Sequence, residues 1–187
     1  MLVEMIDSVD DADAAALCKQ LRSLNAIEAI CRLVDHEHET IHQLSLLLLG
    51  NLSSAQVDIE AETTRQMCKQ CNALDKLLQR LRSTAQKTQM FATLALQNLC
   101  MNMECAEHVK AAGAIPQLNE LAHSGEAQLQ QYASGCLVNI RQAFIITRWQ
   151  KCCKIDNERA ATLIQRYVSS LCMSSIHHLL QSSDCSA

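Results

Sequence analysis

The sequence predicts an all-α protein built as an array of repeated helical units, and three observations carry that prediction. Helix breakers and strand formers are scarce: the chain has four Gly, one Pro and 3% aromatic residues, while Leu, Ala and Gln abound. No stretch alternates apolar and polar residues as a half-buried strand does. Above all, the chain repeats itself. Three segments align without gaps: NAIEAICRLVDHEHETIHQLSLLLLGNLS from Asn25, NALDKLLQRLRSTAQKTQMFATLALQNLC from Asn72, and GAIPQLNELAHSGEAQLQQYASGCLVNIR from Gly113. In each, a second asparagine falls 26 positions after the first residue: Asn51, Asn98 and Asn139.

The elements follow in order. Residues 1–24 hold an N-terminal helical cap and the first helix of repeat 1. The acidic run DDADA starts a helix, where its charges suit the dipole. The opening MLVEMIDSVDDADAAA has no long apolar run and reads as neither a secretory leader nor a transit peptide. Residues 25–141 form the repeats, in blocks starting at 25, 72 and 113. The opening Asn25, Asn72 and Gly113 are the residue types that best tolerate a left-handed backbone, so each marks a turn between helices. A two-turn helix follows and buries Ile30, Leu77 and Leu118. Then come polar linkers, DHEHET, RSTAQK and HSGEAQ, and a longer helix that runs through the second asparagine. On that helix the columns Ser45/Ala92/Ala133, Leu49/Leu96/Leu137 and Leu52/Leu99/Ile140 share one face. The small residues permit close helix approach and the larger ones fill the core. Another short helix precedes each block, at ALCKQLRSL, TRQMCKQC and CAEHVKAA, which gives three helices per repeat.

This pattern resembles the armadillo repeat. The third block, VKAAGAIPQLNELAHSGEAQLQQYASGCLVNIR, is nearest to the family pattern of Gly-Ala-Ile-Pro, a Leu-rich second helix and a third helix ending in Leu-x-Asn-Leu. The first two blocks keep the asparagine and the apolar columns, with NAIE and NALD at their openings. The resemblance covers roughly residues 12–141 and implies a right-handed α-solenoid of about three repeats with helical caps. It also implies a non-enzymatic adaptor or scaffold whose third helices line a concave groove for an extended partner segment. Carried over position by position, it assigns that groove Asn51, Asn98 and Asn139, whose amides can both donate to and accept from a bound backbone. Residues four and seven positions earlier lie on the same helical face. They are Leu47, Leu94 and Gly135, and Leu44, Phe91 and Tyr132. The nuclear-import adaptors of the family carry Trp at the minus-four position, where this chain has Leu, Leu and Gly, so an apolar segment is expected here rather than a basic localisation signal. The competing expectation is that the asparagines only cap and tie adjacent helices.

Charge and motifs narrow the remaining classes. Residues 1–140 hold 10 Lys and Arg against 17 Asp and Glu, and residues 141–187 hold 6 against 3. A mildly acidic body with a basic tail lacks the concentrated basic face of a nucleic-acid binder. The longest Leu-rich run, near residues 44–52, is too short to span a bilayer. Eleven cysteines without a secretory leader suggest reduced thiols and a cytoplasmic protein, and their odd number rules out complete internal pairing.

HETIH, residues 38–42, matches the zinc-protease pattern in which His38 and His42 bind metal and Glu39 is the base. The repeat alignment instead puts His38 and Glu39 in a linker, opposite Ala85–Gln86 and Glu126–Ala127, and no further His-rich extension follows. Glu60 and Glu62, at conceivable spacing for a third ligand, fall in an expected loop. The match therefore reads as an accident of composition, and the sequence calls for no cofactor and no metal. Cys68 and Cys71 form a CxxC without the preceding strand that a redox motif needs, so they read as two helical cysteines one turn apart.

Residues 142–187 are expected to form a basic helical extension with a disordered end. Two stretches resemble a degenerate IQ motif: Ile146, Arg148, Trp149 and Lys151, then Ile164, Gln165, Arg166 and Tyr167. This resemblance offers, as the alternative, a structural subunit or a protein that binds calmodulin or a light chain through these helices, by an apolar stripe with basic flanks. The competing expectation is that these helices cap the end of the array.

Overall fold

The turn residues come first, because they set every repeat. In a computed structural model that describes residues 11–153, φ is 55° at Asn25 and Asn72 and 73° at Gly113. No other described residue has a positive φ. Each of these residues reverses the chain between a first and a second helix; Gly113 has no β-carbon to clash there, and the short polar side chains of Asn25 and Asn72 ease the left-handed conformation.

Nine helices follow from this punctuation among the described residues. Repeat 1 comprises α1 (Asp11–Ser23), α2 (Ala26–Leu33) and α3 (Glu39–Leu52). Repeat 2 comprises α4 (Ala61–Gln70), α5 (Ala73–Arg80) and α6 (Gln86–Leu99). Repeat 3 comprises α7 (Met103–Ala111), α8 (Ile115–Leu121) and α9 (Ala127–Cys153). No strand occurs among the described residues. Local signals start the elements of repeat 3: the Asn102 side chain accepts from Cys105 N at 3.0 Å to cap α7, and Pro116 opens α8.

The third helices α3 and α6 stack, and in repeats 1 and 2 the second helix packs on its own third helix. All nine residues of the three columns are buried. Leu49, Leu52, Leu96, Leu99, Ala92 and Ala133 have no accessible surface, and Ser45, Leu137 and Ile140 keep 8% or less. Burying a leucine contributes about 1.5–3 kcal/mol, so Leu96→Ala alone would cost about 2–5 kcal/mol. Close approach has its own residues. A β-carbon on Gly50 would stand 3.0 Å from Leu94 Cγ, and one on Gly135 would stand 2.6 Å from Gln97 Nε2.

Polar side chains fasten each repeat to the one before. Arg80 Nε donates to Val34 O at 3.1 Å, Lys76 Nζ to Cys31 O at 3.1 Å, and Gln117 Nε2 to Leu81 O at 2.9 Å. These acceptors are helix C-terminal carbonyls that lack an intrahelical partner. Arg65, 5% exposed, does the same for two third helices: its Nε donates to Ser53 O and to Asn98 O, both at 3.0 Å.

Three boundaries differ from the sequence reading. Glu39 is not in a linker but opens α3, with His38 as its N-cap. Glu60 is the N-cap of α4 and Glu62 lies in its first turn, so neither is a plain loop residue. The last third helix does not stop at Arg141. RQAFIITRWQKCC has no Gly, Pro or Asn to end it, and α9 continues to Cys153. The helices up to Ala143 form one compact unit, and the residues from Phe144 onward belong to a second.

The uneven repeat spacing also has a structural cause. Starts lie 47 residues apart between repeats 1 and 2 but 41 between repeats 2 and 3. Most of the extra residues sit in Ser53–Glu60, which joins α3 to α4, whereas only Cys100–Asn102 joins α6 to α7.

Candidate protein-binding cleft

The insertion Ser53–Glu60 is folded by its own polar groups. Val57 N and Asp58 N both donate to Ser54 O, at 3.1 and 3.0 Å, and Glu60 N donates to Asp58 Oδ1 at 2.9 Å. Arg22 of α1 pins it from behind. Its guanidinium donates to Asp58 Oδ2, to Glu60 Oε2 at 2.7 Å and to Thr64 Oγ1 at 3.2 Å. The Arg22 and Asp58 side chains are 8% and 1% exposed, which makes this a buried ion pair. Burial alone would depress the Arg22 pKa, but the hydrogen bond and charge of Asp58, and then those of Glu60, raise it above its ordinary value.

So anchored, the insertion forms one wall of a cleft of about 530 Å³ whose other walls are the third helices. Amide side chains face it from all three repeats: Asn51, Gln56, Gln97, Asn98, Gln131 and Asn139. Its apolar lining is Leu47, Val57, Leu94, Met101 and Tyr132. Ser54 and Ala55 complete the lining, and no lining residue carries an ionised side chain near neutral pH.

Of the residues assigned from the sequence, Asn51, Asn98, Asn139, Leu47, Leu94 and Tyr132 come together around this cleft. Leu44 and Phe91 do not line it. They lie on the same helix faces but nearer the N-terminal ends, and Leu44 is 49% exposed. Gly135 contributes a notch rather than a side chain, and Gln97 lies across it. The asparagines also fasten the array. Asn98 Nδ2 donates to Gly50 O and Asn139 Nδ2 to Gln97 O, each at 2.8 Å, so each amide reaches back one repeat to the carbonyl just before the preceding asparagine. The tie and the cleft lining coexist in the same residues. Sequence reasoning missed the insertion and its Arg22 anchor. The spacing of 47 against 41 was the available signal, since the surplus had to lengthen the connection between α3 and the next repeat.

The other motifs resolve into packing. His42 of HETIH is 7% exposed and holds α3 to α6. Its Nδ1 donates to His36 O at 3.1 Å, and in the neutral ring Nε2 accepts from Thr88 Oγ1 at 3.0 Å. Cys68 lies inside α4 and Cys71 is its C-cap. The hydrogen bond with Cys68 lowers the Cys31 thiol and raises that of Cys68, which burial pushes up further. Cys100 and Cys136 lie with their sulfurs 3.8 Å apart across α6 and α9. Burial pushes the Cys105 thiol up to about 11. No group of three or more His, Cys, Asp or Glu side chains among the described residues is placed to hold a metal ion. No helix among them is long and apolar enough to cross a membrane. Of the IQ-like stretches, Ile146 is half-buried and Arg148 exposed on α9, and Trp149 and Lys151 lie on the same helix. Ile164, Gln165, Arg166 and Tyr167 lie outside the described residues.

No protein-family model matches the sequence, and no curated protein matches it. Solved structures do. A designed armadillo repeat protein is similar at 20% identity with a TM-score of 0.60, over 74% of this chain and 63% of that one. Another, described as a complex with the peptide (KR)4, has 19% identity and a TM-score of 0.59 over 75% and 63%. An engineered protein has 23% identity and a TM-score of 0.59 over 88% and 77%. The chain thus spans under two thirds of the length of the two armadillo designs. At these identities the likeness is one of fold: the protein is an all-α, armadillo-like α-solenoid.

Proposed function

We propose that this chain is a non-enzymatic protein-binding adaptor or scaffold, and that it holds an extended segment of a partner protein across α3, α6 and α9. The observation that carries this reading is the cleft itself, where Leu47, Leu94 and Tyr132 from three successive repeats meet the asparagine ladder. The shared fold supports it, since one similar structure is described as binding a peptide and another as designed for modular peptide recognition. Chemistry supports it as well. The backward ties of Asn98 and Asn139 each use one N–H, which leaves a second N–H and the carbonyl oxygen of each amide for a bound backbone. Neighbouring helices pack about 8–10 Å apart. Three of them therefore span about 16–20 Å, or about five to six residues of extended chain at ~3.3 Å each.

Site-specific photo-crosslinking tests the reading. Benzoylphenylalanine replaces Gln56 or Gln131, both exposed in the cleft lining, or Glu28, exposed on α2 as a control. Adducts from native lysate are then mapped to the partner peptide by mass spectrometry. A cleft that holds a segment gives the same short partner peptide from Gln56 and Gln131 and not from Glu28. Adducts from Glu28 alone, or unrelated peptides from the two cleft positions, would overturn it.

A further inference from the structure

We infer that the segment this cleft accepts is uncharged over its five or six bound residues, with apolar side chains at alternate positions. The inference rests on the binding role just proposed and names the chemistry of the partner. Three observations carry it.

The first is the absence of charge from the lining, which consists of amide, hydroxyl, aliphatic, thioether and phenol groups. The second is the treatment of the charges closest to it. The insertion that supplies Ser54, Ala55, Gln56 and Val57 to the wall also contains Asp58 and Glu60; neither lines the cleft, and both carboxylates accept from Arg22. Arg65, beside the C-terminal ends of α3 and α6, is held by Ser53 O, Asn98 O and Glu62. A lysine or glutamate entering the cleft would therefore shed water and meet no opposite charge, which disfavours it. The third is the arrangement of what remains. Leu47, Leu94 and Tyr132 supply one apolar lining side chain from each third helix, and amides supply most of the polar lining. Same-face side chains of an extended chain recur every ~7 Å, comparable with the ~8–10 Å between neighbouring helices. Every second side chain can then lie on these apolar residues while the backbone meets the amides.

Fluorescence anisotropy at 150 mM salt with three labelled, end-capped octapeptides tests this, one alternating leucine with serine, one leucine with lysine, one leucine with glutamate. The serine peptide is expected to bind at least tenfold more tightly than either charged peptide. A second variant keeps the test independent of folding defects. Gln56→Glu combined with Gln131→Glu changes two exposed side chains, and it is expected to improve lysine-peptide binding at least tenfold. If the lysine or glutamate peptide binds the unaltered chain as tightly as the serine peptide, this inference is wrong and the cleft remains a binding site. If none of the three binds, the inference is also wrong, and the photo-crosslinking result decides whether the binding role falls with it.

Discussion

Removal of Arg22 isolates the device that builds the cleft wall. Arg22→Met keeps most of the aliphatic volume and deletes the guanidinium. Asp58, 1% exposed, then holds a buried carboxylate with no cation. Breaking a buried pair from one side costs about 3–5 kcal/mol. The Glu60 contact adds little, because that side chain is 54% exposed and water screens it. About 4 kcal/mol is therefore expected from urea unfolding followed by circular dichroism. In a chain of 187 residues this corresponds to a fall in Tm of about 8–16 °C. Asp58→Asn keeps the oxygen that accepts from Glu60 N and is expected to cost less, about 1–2 kcal/mol. The double variant removes both charges, so its cost should fall below the sum of the singles by at least about 1.5 kcal/mol. A loss below about 1 kcal/mol for Arg22→Met, or costs that simply add, would refute the argument that this pair pins the insertion.

Four other perturbations have definite expectations. Gly50→Ala places a β-carbon against Leu94 and within 3.5 Å of Ala95 N, and should cost about 1–3 kcal/mol, whereas Gly135→Ala meets only the flexible Gln97 amide and should stay within about 1 kcal/mol in the same urea assay. Asn72→Ala keeps a φ of 55° without the short polar side chain that eases the left-handed conformation and should lose about 1 kcal/mol, while Asn72→Gly should be near neutral. Asn98→Ala leaves Gly50 O without its donor and should cost about 1 kcal/mol, with protection of α3 amides near Gly50 falling in hydrogen exchange. The Cys105 thiol has a folded-state pKa raised from 9.0 to about 11, so its stabilisation is complete below pH 9 and is lost as pH rises toward 11. A loss of about 2 kcal/mol over that interval, reduced in Cys105→Ala, is expected from unfolding measured at successive pH values.

The sequence carried the repeat plan with unusual clarity because its punctuation is chemical. Asn25, Asn72 and Gly113 are read as left-handed from residue type alone, and the buried columns follow from helical period. The cleft was legible only where it lies on that period. Leu47, Leu94, Tyr132 and the asparagines share a helix face, so spacing finds them. Leu44 and Phe91 share it too, and spacing alone cannot say how far along a helix a cleft extends. The insertion wall was hidden because Arg22 and Asp58 are 36 residues apart and no local pattern joins them. The end of α9 was misplaced because the last conserved-looking column, Ile140, ends the repeat pattern without ending the helix.

Four backbone ties between repeats point one way. Asn98 to Gly50 O, Asn139 to Gln97 O, Arg80 to Val34 O and Gln117 to Leu81 O each bring a donor from the later repeat to an acceptor in the earlier one. The later repeat thus carries the donors and the earlier one the acceptors, so a chain cut after any repeat would leave the acceptor carbonyls of its last repeat open to water.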